Sequence, residues 1–326
     1  MSTAIQATLL IIFSVEFVIG ILGNAFMALV NIMDGLKRGK FSAANQILAA
    51  LAISRFVFLL LLLIIFLISD LYPALTTTKK MIKITNASWI LSNHLSIWLA
   101  TCLSIFYFLK IAIFSNSLII YLKWRVKAVV LVTLSVSLLI LFVNIVVINT
   151  HADVYWIDRF KSNTSHSAIQ SNVAQLSKRV FFTNTMFTLI PFTVSLIIFI
   201  LLIFSLWRHL KNIQNYSKGS KDISTTAHIK TLKMVVAFLL LYTVFFVALA
   251  FQSWENKTHH RNPSNLVLLD AGLVFPSGHS CVLILGNSRL RQVFLSMIWW
   301  LRCRLNDAEV LRFLEHVRDC LPYSRG

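Results

Sequence analysis

The chain has 326 residues, of which 57% are hydrophobic and 13% are charged, and its mean hydropathy is +0.77. A soluble domain of this length would carry fewer apolar residues, so the composition excludes an ordinary soluble protein and predicts a chain whose solvent is the lipid bilayer. The formal net charge of +18 does not indicate nucleic-acid binding, because the cations lie in short segments between apolar runs, where they set topology and contact lipid headgroups.

The four cysteines, Cys102, Cys281, Cys303 and Cys320, show no paired spacing of the kind that a zinc site or a disulfide framework requires. Two of them lie inside apolar runs, where a buried free thiol is the expected state. The sequence therefore predicts no metal site and no cofactor.

Seven apolar runs follow one another along the chain, and each is long enough to cross about 30 Å of hydrocarbon as a helix. The runs cover residues 7–33, 46–68, 87–114, 128–149, 181–206, 234–253 and 264–286. The first run has no basic leader and no small-residue cleavage site, so we expect it to be a retained helix. We predict an all-α membrane protein, with a seven-transmembrane-helix domain over residues 1–286 and a tail over residues 287–326.

Lysine and arginine predict the orientation of the bundle. The segments 34–45, 115–127 and 207–233 and the tail carry 19 of the 30 lysines and arginines, and the segments on the opposite side carry 9. The positive-inside rule then places the amino terminus outside and the carboxyl terminus in the cytoplasm.

In the tail, apolar residues from Leu290 to Leu301 alternate with arginines such as Arg291 and Arg302. This pattern predicts an amphipathic helix on the membrane surface.

Three glycosylation sequons agree with this orientation. Asn163 lies in the longest outer segment, Asn86 at the start of the third span and Asn256 in the last outer segment. Asn215 also fits the pattern, but it lies on the cytoplasmic side and should stay unmodified. Asn163 is the strongest candidate because it is furthest from the bilayer.

The third span carries polar residues at one end and cations at the other. Trp89 and Lys110 lie roughly 31 Å apart along an ideal helix, close to the thickness of the hydrocarbon core. We expect this span to be the central helix, with one end facing the outside and the other facing the cytoplasm.

Short motifs occur in register along the seven spans. They include Gly20-x-x-Gly-Asn24 in the first span, Phe106 to Ala112 in the third and Pro276-Ser-Gly-His279-Ser280 in the seventh. Together these motifs resemble the bitter taste receptors, the type 2 taste receptor family. Neither the Asp-Arg-Tyr nor the Asn-Pro-x-x-Tyr motif of the larger rhodopsin-like group is present. The resemblance covers about Gly20 to Leu295 and leaves the tail after Trp300 without a counterpart.

The resemblance implies an agonist site in the outer half of the bundle. Trp89 and Asn93 are four residues apart and therefore share a helix face, where the indole would stack on a flat ligand and the amide would hydrogen-bond to it. The alternatives are an interfacial tryptophan and a structural amide. In spans six and seven, the implied lining residues, which core packing would explain equally well, are Tyr242, Phe245, Phe246, Leu249, Leu269 and Gly272.

Asn24 and Arg55 are polar residues inside membrane spans, a costly placement unless they are paired. Topology places both in the inner halves of adjacent helices, which permits a hydrogen bond between them. The resemblance implies an activation network that also contains Ser280. The alternatives are interhelical glue and, for Arg55, contact with inner headgroups.

The resemblance implies that a G protein docks at the cytoplasmic end of the bundle. The cationic residues expected on that face are Lys110, His209, His228, Lys230 and Lys233. The plainer explanation for each is positive-inside charge alone.

The sequence thus predicts a multi-pass plasma-membrane receptor that detects bitter small-molecule agonists and signals through a gustducin-type G protein, phospholipase C and calcium. It is not expected to be an enzyme, because the spans hold no nucleophile–base pair and no cluster of carboxylates and histidines. A vomeronasal pheromone-type receptor remains an alternative with the same architecture. A small-molecule transporter is disfavoured by the absence of internal repeats and mid-membrane breaks.

Overall fold

The computed structural model describes residues 3–76, 78–112, 117–161, 166–216, 223–254 and 263–320. Its elements, in chain order, are α1 (Thr3–Arg38), α2 (Ala43–Leu71), α3 (Pro73–Thr76), α4 (Lys79–Ile111), α5 (Ser117–Trp124), α6 (Val126–Lys161), α7 (His166–Tyr216), α8 (Ile223–Trp254), α9 (Pro263–Gly286) and α10 (Ser288–Cys320). The described part of the chain is helical and contains no strand, which confirms the all-α prediction.

The seven predicted spans correspond to α1, α2, α4, α6, α7, α8 and α9. Six of these helices contain a segment that is long and apolar enough to cross a membrane without help from a neighbour. The described part of α9 reaches that length only together with α10. Over all 24 of its residues, however, α9 is about 36 Å long at the usual helical rise, enough to span the hydrocarbon core. The protein is a seven-helix membrane bundle.

Helix α4 is the central helix of the bundle. It packs against α2, α6 and α7, and 61% of the residues in its apolar segment are buried, against 11% in α1. Buried residues follow one another from Ser92 to Ser104 with few interruptions, which only a helix surrounded on several sides permits. This position agrees with the prediction from its polar and cationic ends. Below, the two ends of the bundle are called the Lys79 end and the Lys110 end, after the first and last charged residues of α4.

Several helices are longer than their apolar runs. Helix α4 begins at Lys79, eight residues before the predicted start, and Thr78 caps it by accepting a hydrogen bond from the Met81 amide at 3.4 Å. The segment expected to be a loop over residues 150–180 is helical wherever it is described, because α6 continues to Lys161 and α7 starts at His166. Apolar runs measure the hydrocarbon-facing part of a helix, and polar residues extend it beyond that part.

An ion pair joins α4 to α6 at the Lys79 end. The Asp153 carboxylate lies 2.6 Å from Lys83 Nζ and 3.4 Å from Lys79 Nζ. Lys79 and Asp153 are about half exposed, so the pair mainly sets the register of the two helix ends.

The chain divides into two compact units, Met1–Val282 and Leu283–Gly326. In the second unit, the side chain of Asn287 accepts hydrogen bonds from the backbone amides of Arg289 (3.0 Å) and Leu290 (3.3 Å), which caps the start of α10. Large apolar side chains such as Trp299 and Trp300 are exposed on α10 beside arginines, and the Arg304 guanidinium lies 5.0 Å from the Trp300 ring centre. An apolar surface of this kind suits a helix that lies in lipid headgroups.

Candidate functional site

Helices α1 and α9 are joined by a fully buried hydrogen-bond cluster. Ser280 Oγ lies 2.7 Å from Asn24 Oδ1 and 2.9 Å from the Pro276 carbonyl oxygen. Asn24 Nδ2 donates to the Gly20 carbonyl at 2.7 Å and lies 3.3 Å from the Pro276 carbonyl oxygen. A proline in a helix leaves the carbonyl one turn earlier without its usual amide donor. Here the carbonyl oxygen of Pro276 itself also accepts hydrogen bonds from polar side chains. The structure thus brings together Asn24 and Ser280, two of the three residues of the predicted network.

The sequence permitted a hydrogen bond between Asn24 and Arg55, and this prediction was wrong. Arg55 is wholly buried, its Nε donates to Ser96 Oγ on α4 at 3.1 Å, and its guanidinium lies 4.8 Å from the Phe275 ring centre. The Asn24 amide is already occupied by partners on α1 and α9. Sequence position placed Asn24 and Arg55 at similar depth, but it could not give the rotation of α2 about its axis, which turns Arg55 towards α4 and α9.

An aromatic cluster connects α7, α8 and α9. Tyr242 and Phe245 are buried, and their rings lie 5.0 Å and 5.2 Å from the ring of Phe275. On the other side, Phe246 stacks on Phe192 of α7 with ring centres 4.2 Å apart. Pairs at this separation add attraction beyond their buried area. All three contacts involve Phe192 or Phe275, which the sequence did not identify because nothing in their spacing marks them as partners of α8.

Trp89 and Asn93 differ in their surroundings although they share a face of α4. Trp89 is half-buried and packs against an apolar cluster formed by Ile90, Leu141, Ile148, Leu176 and Val180. Asn93 is 3% exposed, and its amide nitrogen has no hydrogen-bond partner. A buried donor without an acceptor is costly, so Asn93 is a place where a ligand acceptor would be favoured.

The remaining predicted lining residues lie towards the Lys79 end of α8 and α9. Leu249 is buried, and its carbonyl accepts a hydrogen bond from Thr185 of α7 at 3.4 Å. Gly272 is half-buried on α9. The side chain of Leu269 lies outside the described residues.

At the opposite end, Lys110 and Lys233 are exposed on α4 and α8. The side chains of His209, His228 and Lys230 lie outside the described residues. Between α4, α7, α8 and α9 on this side is a small cavity, and its lining includes Tyr107, Phe199, Phe238 and His279.

Among the predicted sequons, Asn163 and Asn256 lie outside the described residues. Asn86 lies on α4 in a crevice against α6, which Lys83 and Asn149 also line. Its half-buried side chain is therefore less accessible to a transferase than a loop asparagine would be.

The described residues contain no group of three or more His, Cys, Asp or Glu side chains that could hold a metal ion. The polar contacts described above join helices to one another and form no nucleophile–base pair. The arrangement is suited to binding and to conformational change.

Comparison with known proteins identifies the family. The model of the family "Taste receptor protein (TAS2R)" matches residues 1–302. Taste receptor type 2 member 140 of Rattus norvegicus is 57% identical over 310 residues, which are 95% of this chain and 99% of the relative.

Two further relatives agree. Taste receptor type 2 member 103 of Mus musculus is 53% identical over 302 residues (93% of this chain and 95% of the relative). Member 14 of Macaca mulatta is 46% identical over 309 residues (95% and 97%). The chain therefore belongs to the bitter taste receptor family, TAS2R, whose members are multi-pass G-protein-coupled receptors of the plasma membrane and not enzymes.

Proposed function

We propose that this receptor binds a bitter small molecule between α4, α7, α8 and α9 in the half of the bundle nearer the Lys79 end. Agonist binding activates a gustducin-type G protein, which activates phospholipase C and leads to calcium release. The ligand-contacting residues are Trp89 and Asn93 on α4, with the α8 and α9 residues Tyr242, Phe245, Phe246, Leu249, Leu269 and Gly272.

The main support for placing the ligand here is the side-chain amide of Asn93, which has no hydrogen-bond partner. Asn93 Nδ2 is buried on the central helix and has no acceptor among its neighbours. An acceptor on a ligand would recover the hydrogen bond and remove a penalty of about 1–3 kcal/mol. The aromatic rings of Trp89 and Phe246 supply the apolar, flat walls that most small-molecule sites have.

The signal requires two conformations with different agonist affinity. An agonist that binds one state more tightly shifts the equilibrium by no more than that difference. In the active state, the ends of α7 and α8 near Lys233 separate and admit a helix of the G protein. The exposed Lys110 and Lys233, with Lys230 and the basic residues His209 and His228 predicted beside them, would favour an acidic partner.

This function requires the Lys79 end to face the outside and the Lys110 end to face the cytoplasm, as the distribution of lysine and arginine predicts. In that orientation the outer sequons Asn163, Asn256 and Asn86 are candidates for glycosylation, and α10 lies on the inner leaflet.

Calcium release in cells that express the receptor with a promiscuous taste G protein tests the proposal. A panel of bitter compounds is first screened on the parent, and the responding compounds are then applied to Trp89→Ala and Asn93→Ala. We expect each substitution to raise the half-maximal agonist concentration roughly tenfold or more, the effect of one lost hydrogen bond or aromatic contact.

Leu91→Ala is the matched control, because Leu91 is exposed on α4 between the two tested residues. It should leave the response unchanged, and surface expression is measured for all variants. If a compound activates the parent and both tested variants equally at equal expression, the receptor function stands and the site is wrong. If no compound activates a parent that reaches the surface, the bitter-ligand proposal fails.

A further inference from the structure

Arg55 is a buried cation whose charge is not balanced by its neighbours. The side chain is 0% exposed, and only Nε makes a hydrogen bond, to the neutral hydroxyl of Ser96. Nη1 and Nη2 are buried and have no partner. A guanidinium carries five N–H donors and no acceptor, and it keeps its charge in proteins.

No described carboxylate lies within ion-pair distance of this guanidinium. The side chain of Asp34 contacts Arg38 and Asn45, and that of Asp153 contacts two lysines at the Lys79 end. The Arg55 guanidinium lies over the face of the Phe275 ring, 4.8 Å from its centre. A ring face compensates a cation only partly, whereas buried charges in proteins are normally paired.

Two further buried donors without partners surround the same ring. Phe275 lies 5.0 Å from the ring of Tyr242 and 5.1 Å from that of His279. The Tyr242 hydroxyl and His279 Nδ1 are both buried and make no hydrogen bond.

Each of these groups can donate a hydrogen bond, His279 in the tautomer that carries its proton on Nδ1. The hydroxyls nearest to Tyr242 are those of Ser195, which donates to Thr101, and of Thr101, which donates to the Ile97 carbonyl. Towards Tyr242 they can act only as neutral acceptors, and an anion would compete with them for the Tyr242 proton.

The cluster is therefore rich in donors and carries one net positive charge. Water could accept hydrogen bonds here but would leave the charge unbalanced. An anion would accept from Arg55, Tyr242 and His279 together and would also neutralise the guanidinium. Polar groups inside the membrane that lack such compensation are strongly disfavoured.

We propose that Arg55, Tyr242 and His279 form a binding site for a small monovalent inorganic anion of the size of chloride in the middle of the bundle. The anion joins α2, α8 and α9, and through Ser96 it joins them to α4. It stabilises the folded receptor by mass action, independently of agonist and G protein.

The test is the thermal unfolding of the full-length receptor in nanodiscs of uncharged lipid. Chloride is titrated against gluconate at constant ionic strength and constant sodium concentration, so that surface screening by the +18 chain does not change. We expect the melting temperature to rise with chloride and then to saturate. Bromide should replace chloride, and choline chloride should act like sodium chloride.

Three variants locate the anion. Arg55→Gln should abolish the chloride dependence. Tyr242→Phe keeps the ring contacts and removes one donor, so the half-maximal chloride concentration should rise roughly tenfold or more. Tyr107→Phe is the control. Tyr107 lines a cavity that His279 also borders, but its ring contact is with Phe106 and it makes no hydrogen bond or ring contact with Arg55, Tyr242 or His279, so its chloride titration should match that of the parent.

The proposal is overturned if the melting temperature of the parent does not depend on chloride, since water then fills the cluster. It is equally overturned if Tyr242→Phe titrates like the parent, since the anion then binds elsewhere. Should Arg55→Gln fail to fold, the comparison of Tyr242→Phe with Tyr107→Phe decides alone. Because no agonist is used, the outcome does not depend on the proposed bitter-ligand site.

Discussion

Polar side chains inside the bundle determine how the helices meet one another. His94 contacts the Ser137 carbonyl oxygen of α6 through Nε2 at 2.9 Å, and Ser195 of α7 donates to Thr101 of α4 at 2.9 Å. In an apolar solvent such contacts are strongly favoured over unpaired groups, so each one fixes a helix rotation.

The sequence identified Asn24 and Arg55 because polar residues inside apolar runs are rare, and Ser280 was added by the family resemblance. It could not assign all of their partners. Asn24 and Ser280 meet as expected, whereas Arg55 pairs with Ser96, a serine that no pattern distinguishes from the other serines of α4. Partner choice depends on helix rotation, which a single sequence does not contain.

Gly20 lies where α1 closely approaches α2 and α9. A Cβ at this position would lie 2.5 Å from Ser277 Oγ and 2.9 Å from Leu59 Cδ1, so α1 could no longer approach α2 and α9 as closely. We expect Gly20→Ala to lower the free energy of unfolding by about 1–3 kcal/mol, the usual cost of overpacking. Thermal unfolding of the purified receptor measures this change.

Gly278→Ala is the control for Gly20→Ala. Its Cβ would meet the flexible end of Leu241 at 3.2 Å and Val274 Cγ1 at an ordinary 4.0 Å, so the melting temperature should stay close to that of the parent. Equal losses in the two variants would contradict the claim that close approach at Gly20 is specifically required.

At the element scale, the apolar runs predicted the number and order of the spanning helices well. They did not predict where helices end, because polar segments such as Lys79–Ile82 continue α4 beyond its apolar part. Hydropathy reports the preference for lipid, while helix ends depend on caps such as Thr78 and on tertiary ties such as Asp153 with Lys83.

The stripe on α8 shows the same limit for the candidate site. Helical spacing placed Tyr242, Phe245, Phe246 and Leu249 on one side of α8. In the structure Phe246 stacks on Phe192 of α7, Phe245 packs on Phe275 of α9, and Tyr242 contacts both of these rings. Which side chain lines a pocket and which fills the core follows from neighbours such as Phe192 and Phe275, and only the fold supplies them.

For the whole molecule, the orientation of the bundle in the membrane determines which sequons can be glycosylated. If the amino terminus is outside, Asn163 lies on the lumenal side during synthesis and carries a glycan. Asn163→Gln should then increase gel mobility, and glycosidase treatment should remove the difference from the parent. Asn215→Gln, whose sequon is predicted to be cytoplasmic, should migrate like the parent. A shift with Asn215→Gln and none with Asn163→Gln would reverse the orientation.

In the proposed function, a ligand at Asn93 controls a G protein at the opposite end of the bundle. The most direct measurement is nucleotide exchange on a purified gustducin-type G protein by the purified receptor in nanodiscs, with an agonist found in the cell screen. We predict agonist-dependent exchange in the parent and in Leu91→Ala, and exchange that needs at least about ten times more agonist in Asn93→Ala. Nucleotide exchange that does not depend on the agonist would contradict the proposed receptor function. An Asn93→Ala receptor that responds like the parent would contradict the proposed ligand site.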